Sequence, residues 1–230
     1  MNLNNIFDKC NLKIKKILLK SFVEGSNIIN KNSEFNTFFK IKIDENNSQI
    51  FYFENNSLKF EQNFNFGSEL ILRDISKVTF LEINIIRNFL DNMSVAQDIL
   101  KDEFIEKNFF ENNDYKKVKK KLLFEIAKSR IEEILEKLLI KNINLLSFIK
   151  KGKLISLNIN DKIHFKFFKN IYRSFLNDNN LTSNFVENTT TEDLIKNVNK
   201  LVHYGWKKEA IPVTLIKKSA LAKFFETLFR

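Results

Sequence analysis

The sequence predicts an α/β fold. Three observations carry this expectation. Three short alternating segments lie between Phe38 and Phe66, parted by Asn-rich turns; a long amphipathic helical pattern runs from Tyr115 to Ile140; and a further strand is followed by a helix between Lys153 and Leu176. Period-two alternation suits half-buried strands, while apolar residues three and four apart suit helices lying on a sheet.

In chain order, Leu3, Ile6, Phe7 and Cys10 give helical spacing across Asn4 to Leu12, and Ile17-Leu18-Leu19 reads as a short strand. Phe22 to Asn30 resumes helical spacing around Gly25. Phe38 to Ile43, Gln49 to Phe53 and Leu58 to Phe66 then read as an antiparallel meander, with tight turns at the Glu-Asn-Asn-Ser stretches beginning at Glu45 and Glu54. After Gly67 the pattern becomes helical, over Ile75 to Leu90 and Val95 to Phe110, with a break near Asp91-Asn-Met-Ser94.

From Tyr115 to Ile140, Leu122, Phe124, Ile126, Ile131, Ile134, Leu135, Leu138 and Leu139 form an apolar face. Lys128, Glu132, Glu133, Glu136 and Lys137 form the wet face. Lys153 to Ile159 reads as a strand, and Ile163 to Leu176 as a helix or a helix with a strand. Asp178 to Thr191 reads as a polar loop, and Glu192 to His203 as a helix capped around Thr191, Glu192 and Asp193. Trp206 to Val213 contains the only Pro and reads as a linker.

The 230 residues are 43% hydrophobic and 29% charged, which suits a folded chain with a core of its own. The net charge of +10 makes an anionic partner worth testing: lipid headgroups, nucleic acid or an acidic peptide. Phe at 25, Gly at 4 and recurrent Asn, Lys and Ile are what an AT-rich genome produces, so single Phe, Lys or Asn residues carry little functional meaning. Cys10, alone, suits a reducing compartment and reads as a small buried hydrophobe. The first residues lack the pattern of a signal peptide, and no stretch reaches the roughly 20 apolar residues of a membrane span.

His164 and His203 have no Cys or carboxylate at ligand spacing, so no metal site is expected. There is no nucleophile elbow, Walker loop or dinucleotide fingerprint. The basic run Lys116-Lys-Val-Lys-Lys-Lys121 reads as a solvated face at a helix start, with a lipid or nucleic-acid contact as the less common alternative.

The last residues carry a pattern with a physical mechanism. Leu221, Phe224, Phe225, Leu228 and Phe229 share one helical face, and Lys217, Lys218, Lys223 and Arg230 fall on or beside the other. Such a helix can lay its apolar side at the headgroup boundary while its cations meet anionic lipid. Burying about four such side chains gives a gross gain of about 6 to 12 kcal/mol before ordering costs, enough for weak reversible anchoring. The alternative is a helix packed on the protein core.

Three segments, in order, resemble the second half of FtsA, the actin-like protein that attaches the FtsZ ring to the membrane in bacterial division, the second of them in two pieces. Asn5 to Ser26 is similar to the FtsA stretch in which a helix and a strand lead to a small-residue helix. Glu54-Asn-Asn-Ser-Leu-Lys59 is similar to its Gly-Ser-Leu hairpin. Phe66 to Ile75 is similar to its Gly-Gly-Asn-x-x-Thr-x-Asp-Ile segment, keeping Gly67, Asp74 and Ile75 with Leu72 at the Thr position. Leu123 to Leu138 resembles the long helix with the Ile-Ile-x-x-Arg-Val-Glu-Glu-Ile core.

The resemblance implies an actin-like, ribonuclease H-like domain in reduced form with a C-terminal amphipathic helix. On that basis residues 1–75 and 115–205 form one subdomain, 76–114 a reduced helical subdomain, 206–214 a linker and 215–230 a membrane-targeting helix. The implied function is tethering of the FtsZ ring at the inner face of the cytoplasmic membrane by a peripheral, cytoplasmic protein. Expected partners are the FtsZ C-terminal peptide, docking between Lys77 and Phe110, and anionic lipid, with other division proteins or self-association besides. Nucleic acid is not expected.

The family's cofactor is ATP, but none is expected here. Its glycine-rich phosphate loop falls on Lys42 to Gln49, which has no glycine and adds Asp44 and Glu45. The degenerate nucleotide positions are Asp44, Asn46, Ser48, Gly67, Asn84 and Arg87, and the adenosine loop falls near Ser156 to Asp161. The first actin subdomain has no counterpart, which fits either a reduced adaptor or a fragment whose N-terminal half is supplied by another chain or lost in the gene model. An adaptor without catalysis is therefore expected, with an ATP-binding division ATPase and a basic nucleic-acid-binding protein as the alternatives.

Overall fold

The computed structural model describes residues 3–205, apart from 15, 33, 93–102, 111–113, 161 and 188. Helices α1 (Leu3–Lys9) and α2 (Lys20–Lys31) precede strands β1 (Phe38–Ile43), β2 (Ser48–Glu54) and β3 (Ser57–Phe64). Helices α3 (Glu69–Thr79), α4 (Ile83–Asn92) and α5 (Lys120–Leu135) follow, then β4 (Leu154–Ile159), α6 (Lys162–Asp178), β5 (Thr182–Phe185) and α7 (Thr191–Tyr204).

The first three strands form the expected antiparallel meander. Its second turn places Asn55 and Asn56 at φ 50° and 65°, the left-handed pair of a type I′ hairpin, which Asn tolerates better than most residues. On its other side β1 pairs in parallel with β4, and β4 with β5, giving the order β3-β2-β1-β4-β5. A meander whose first strand is continued by two parallel strands, each reached through helices, is the ribonuclease H-like arrangement of an actin-like domain.

Alternation divides the sheet into two faces. Phe39, Ile41, Ile50, Tyr52, Ile155 and Leu157 enter one large cluster with buried residues of α3, α4, α5 and α6. On the other face Phe38, Phe51 and Phe53 pack with Ile28 and Ile29 of α2 and with Phe35. Gly25 lets α2 lie this close, because a Cβ there would stand 1.9 Å from the Phe53 ring. Asn197 of α7 braces α2 by donating through Nδ2 to the Val23 carbonyl and Ser26 Oγ, both at 2.8 Å.

The structure departs from the sequence reading in several places. Ile17-Leu18-Leu19 joins no strand, and Ile17 and Leu19 are 70% and 64% exposed, because no sheet edge meets this apolar triplet. The expected Ile75 to Leu90 helix is divided between α3 and α4 by Phe80, which adopts a left-handed conformation at φ 56°. Of the expected Val95 to Phe110 helix, the described portion holds a bridge from Phe104 to Lys119 and a single 3-10 turn at Lys107–Phe110. That bridge keeps the chain before α5 extended, so α5 starts at Lys120 rather than Tyr115. It continues into a π-turn at Glu136–Ile140.

The polar loop expected over Asp178 to Thr191 contains β5, an edge strand of Thr, Ser, Asn and Phe with no apolar alternation to betray it. Thr190 caps α7 by accepting from the Asp193 N–H at 3.1 Å, one residue before the expected cap. Cys10 is exposed rather than buried. The linker at Trp206 to Val213 and the helix expected over Leu215 to Arg230 lie outside the described residues. Among the described residues no helix is long and apolar enough to cross a membrane.

Candidate functional site

The turn between β1 and β2 is built from Asp44 to Asn47 and closed by the Asp44 N–H donating to the Asn47 carbonyl at 2.9 Å. Phe66-Gly67-Ser68 passes against this turn and leads into α3. The first N–H groups of a helix have no partner within it, which makes them natural anion donors. Here the Ser68 and Glu69 N–H groups donate to the Asp44 and Glu45 carbonyls at 3.0 and 2.9 Å. Gly67 permits the approach: a Cβ would stand 2.1 Å from the Asp44 carbonyl oxygen and 2.6 Å from that of Glu45. Ser48 Oγ closes the other side by donating to the Phe66 carbonyl at 2.7 Å.

The Asp44 carboxylate pairs with Lys42 Nζ at 3.1 Å and accepts from Asn160 Nδ2. The Asn160 N–H also donates to the Ile43 carbonyl at 3.0 Å, so the segment matched to the adenosine loop braces the same turn. The structure thus brings Asp44, Ser48 and Gly67 together, with Asn46 exposed on the turn. Arg87 on α4 reaches back to Glu69 at 2.6 Å and anchors the start of α3, while Asn84 is exposed on α4. A phosphate at this turn would meet backbone donors already engaged and the carboxylates of Asp44 and Glu45 beside them.

Two matched segments also meet. Arg130, from the long-helix match, pairs with Asp74, from the Phe66 to Ile75 match, 56 positions earlier. Arg130 also pairs with Glu133 at the next turn of α5. The hydrogen bond from Lys137 leads the causes that hold the Glu133 carboxyl below its ordinary range, with the Arg130 charge contributing and desolvation opposing.

The basic run is less solvated than expected. Lys120 is only 5% exposed and pairs with Glu106 at 2.6 Å and Glu103 at 3.2 Å. Its burial works to lower the ammonium pKa, but the hydrogen bonds to Glu106 and Glu103 outweigh it and hold the pKa above the usual value. Lys116 Nζ donates to the Phe80 carbonyl at 2.6 Å. Sequence reading had no means to find these contacts, since Glu103 and Glu106 are remote on any helical pattern.

Between α3 and the start of α5 lies a groove of about 900 Å³. Val78, Phe104 and Leu122 contribute apolar side chains that are 54%, 44% and 37% exposed. Lys117, Lys119 and Lys121 stand around them.

No family model matches the chain, and no curated protein does. Solved structures do resemble it. The ethanolamine utilization protein EutJ of Carboxydothermus hydrogenoformans aligns over 79% of this chain and 53% of its own, at 6% identity and a TM-score of 0.46. An MreB of Spiroplasma citri bound to AMPPNP aligns over 86% of this chain and 62% of its own, at 12% identity and a TM-score of 0.45. An archaeal actin homolog aligns over 77% of this chain and 51% of its own, at 10% identity and a TM-score of 0.42. The chain therefore spans between about half and two thirds of the length of these proteins. The fold assignment itself rests on strand order and direction.

Proposed function

We propose that this chain is an actin-like adaptor of the FtsA type, which holds the FtsZ ring at the inner face of the cytoplasmic membrane without hydrolysing ATP. The observation that carries the reading is the closed turn at Gly67. The α3 amides that could face a phosphate are committed to the Asp44 and Glu45 carbonyls, so the domain keeps its scaffold while its nucleotide grip is filled by its own backbone. A scaffold of this kind acts through its surfaces.

Two surfaces suit the role. The groove beside α3 has an apolar floor and a lysine rim, which favour a peptide carrying both apolar side chains and carboxylates, and the FtsZ C-terminal peptide is the proposed occupant. The sequence from Leu215 to Arg230 supplies the membrane contact, with Leu221, Phe224, Phe225, Leu228 and Phe229 against the lipid and its cations against anionic headgroups. The engagement of Lys116 and Lys120 in contacts within the chain weighs against a nucleic-acid interface at the basic run.

Co-sedimentation with anionic liposomes tests the tether directly. The intact chain is expected to pellet with vesicles containing phosphatidylglycerol, and a variant with Leu221, Phe224, Phe225 and Leu228 changed to Gln is expected to remain in solution. Equal pelleting of the two, or none of either, would overturn the membrane role.

A further inference from the structure

The two edges of the sheet are not alike. β5 has four residues, whereas β3 runs for eight, from Ser57 to Phe64, and contains no proline. An edge strand presents a row of backbone N–H and C=O groups without partners in its own sheet, a template on which another strand can pair. Among the described residues β3 pairs with β2 alone.

A lysine is one of the devices that keep such an edge from pairing, and β3 carries one. Lys59 stands where the register against β2 shifts: Phe60 faces Tyr52, Leu58 faces Phe53, and Lys59 has no opposite residue. Two positions on, however, is Glu61. Both are exposed, as is Asn63, in alternation with half-buried Phe60, Gln62 and Phe64. Glu61 accepts a hydrogen bond from Ser21 Oγ at 3.1 Å, but neither Lys59 nor Glu61 has an ion-pair partner among the described residues.

The order of these side chains is self-complementary. Two copies of β3 paired antiparallel about a two-fold axis at Phe60 set each Lys59 opposite the partner's Glu61, each Leu58 opposite the partner's Gln62, and each Ser57 opposite the partner's Asn63. Two Lys–Glu pairs result, one on either side of the axis, and no like charges face each other. Moving the axis by one residue in either direction would set Lys59 or Glu61 against its own counterpart. The charges therefore select one register as well as the partner.

The ground beside the edge is apolar. Asn142 and Asn144 donate to Gln62 Oε1 at 3.0 and 3.4 Å and hold the turn after α5 against β3. Ile143 and Leu146 of that turn are 78% and 56% exposed. Apolar side chains left open next to an unpaired strand are what a second strand and its own turn would cover.

We propose that β3 pairs with β3 of a second copy of this chain, antiparallel about Phe60, with a Lys59–Glu61 pair on each side of the axis. The interface is isologous and closes as a dimer. The pairing stands apart from the membrane role, although a dimer would bring two copies of the Leu215 to Arg230 sequence to one lipid surface and strengthen retention by avidity.

Sedimentation equilibrium of the intact chain at increasing protein concentration, without lipid, tests it. A monomer–dimer equilibrium is expected. Lys59→Glu and Glu61→Lys each place two like-charge pairs across the axis and should raise the dimer dissociation constant about tenfold or more. Both substitutions fall on exposed side chains, so the urea midpoints should stay close to that of the parent.

Two further arms separate this contact from general stickiness. Lys59→Glu combined with Glu61→Lys in one chain restores both pairs and should restore the dimer. The two single variants, each weakened alone, should associate when mixed, because the carboxylates of one strand then face the ammonium groups of the other. A parent that stays monomeric at every concentration, or single reversals that dimerise as the parent does, would overturn the pairing. In the second case, a dimer lost on ending the chain after Gly205 would assign the association to residues 206–230. Liposome binding by a monomeric parent would overturn the pairing and leave the membrane role standing.

Discussion

Single buried polar groups in this protein are governed by what stands next to them. Lys40 and Lys120 are both almost fully buried, yet their pKa values move in opposite directions, because burial dominates at Lys40 whereas two glutamates outweigh it at Lys120. Tyr52 has no such help. Its ring is fully buried between Phe39 and Phe148, with centroids at 4.8 and 4.6 Å, and its hydroxyl has no partner among the described residues. Burial, with the charge of Glu54, pushes the phenol up from its ordinary value to about 12. The folded state therefore holds this proton while the unfolded chain has lost it, so stability falls as pH rises from about 10 through 12. Tyr52→Phe is expected to raise stability at neutral pH by about 1 kcal/mol, by removing an unsatisfied hydroxyl, and to flatten the alkaline decline. Urea denaturation of both proteins across pH 7 to 12 would read both effects, and a large destabilisation at neutral pH would contradict the assignment.

Elements were legible in the sequence wherever their own periodicity carried them. The meander from Phe38 to Phe64 stands out because each strand alternates and each turn supplies Asn, and α5 and α7 stand out through their apolar faces. Patterning fails where a tertiary partner decides. Ile17-Leu18-Leu19 has strand composition but no edge to pair with, whereas the polar β5 gains its partner in β4. Of the candidate site, Gly67 was legible as a matched glycine, but its role was not: it admits the carbonyls of a turn where phosphate contacts were the family expectation. The burial of Lys40, 5% exposed and paired with Glu24, left no trace in the sequence, since it depends on the packing of α2 against β1. The Gly67 contact gives a prediction at the level of the α3 junction. An added methyl would press on backbone on both sides, which cannot swing away as a side chain could, so Gly67→Ala is expected to destabilise by about 3 kcal/mol. The loss should appear as a lowered urea midpoint with an unchanged slope. A variant as stable as the parent would mean that the turn is not held against α3.

Across the whole molecule, one cluster of buried side chains joins the sheet to α3, α4, α5 and α6, and a smaller one joins it to α2. The buried hydrophobic residues among those described begin at Val23 and end at Leu201. That arrangement separates the two roles open to the C-terminal sequence. A helix needed by the core would bring several buried aromatic side chains, and losing them would cost many kcal/mol, at about 3 to 5 kcal/mol for each large aromatic. A membrane helix contributes nothing to the fold in solution. Ending the chain after Gly205 is therefore expected to leave the urea midpoint and the m value close to those of the intact protein, while abolishing retention on anionic liposomes. Because the deletion also removes Lys217, Lys218, Lys223 and Arg230, the intact protein should in addition show vesicle binding that weakens with salt, as screening over about 8 Å at physiological ionic strength requires. A truncated chain with a markedly lower midpoint would assign the tail to the core, and the actin-like scaffold would then have to reach its membrane, if at all, through another surface.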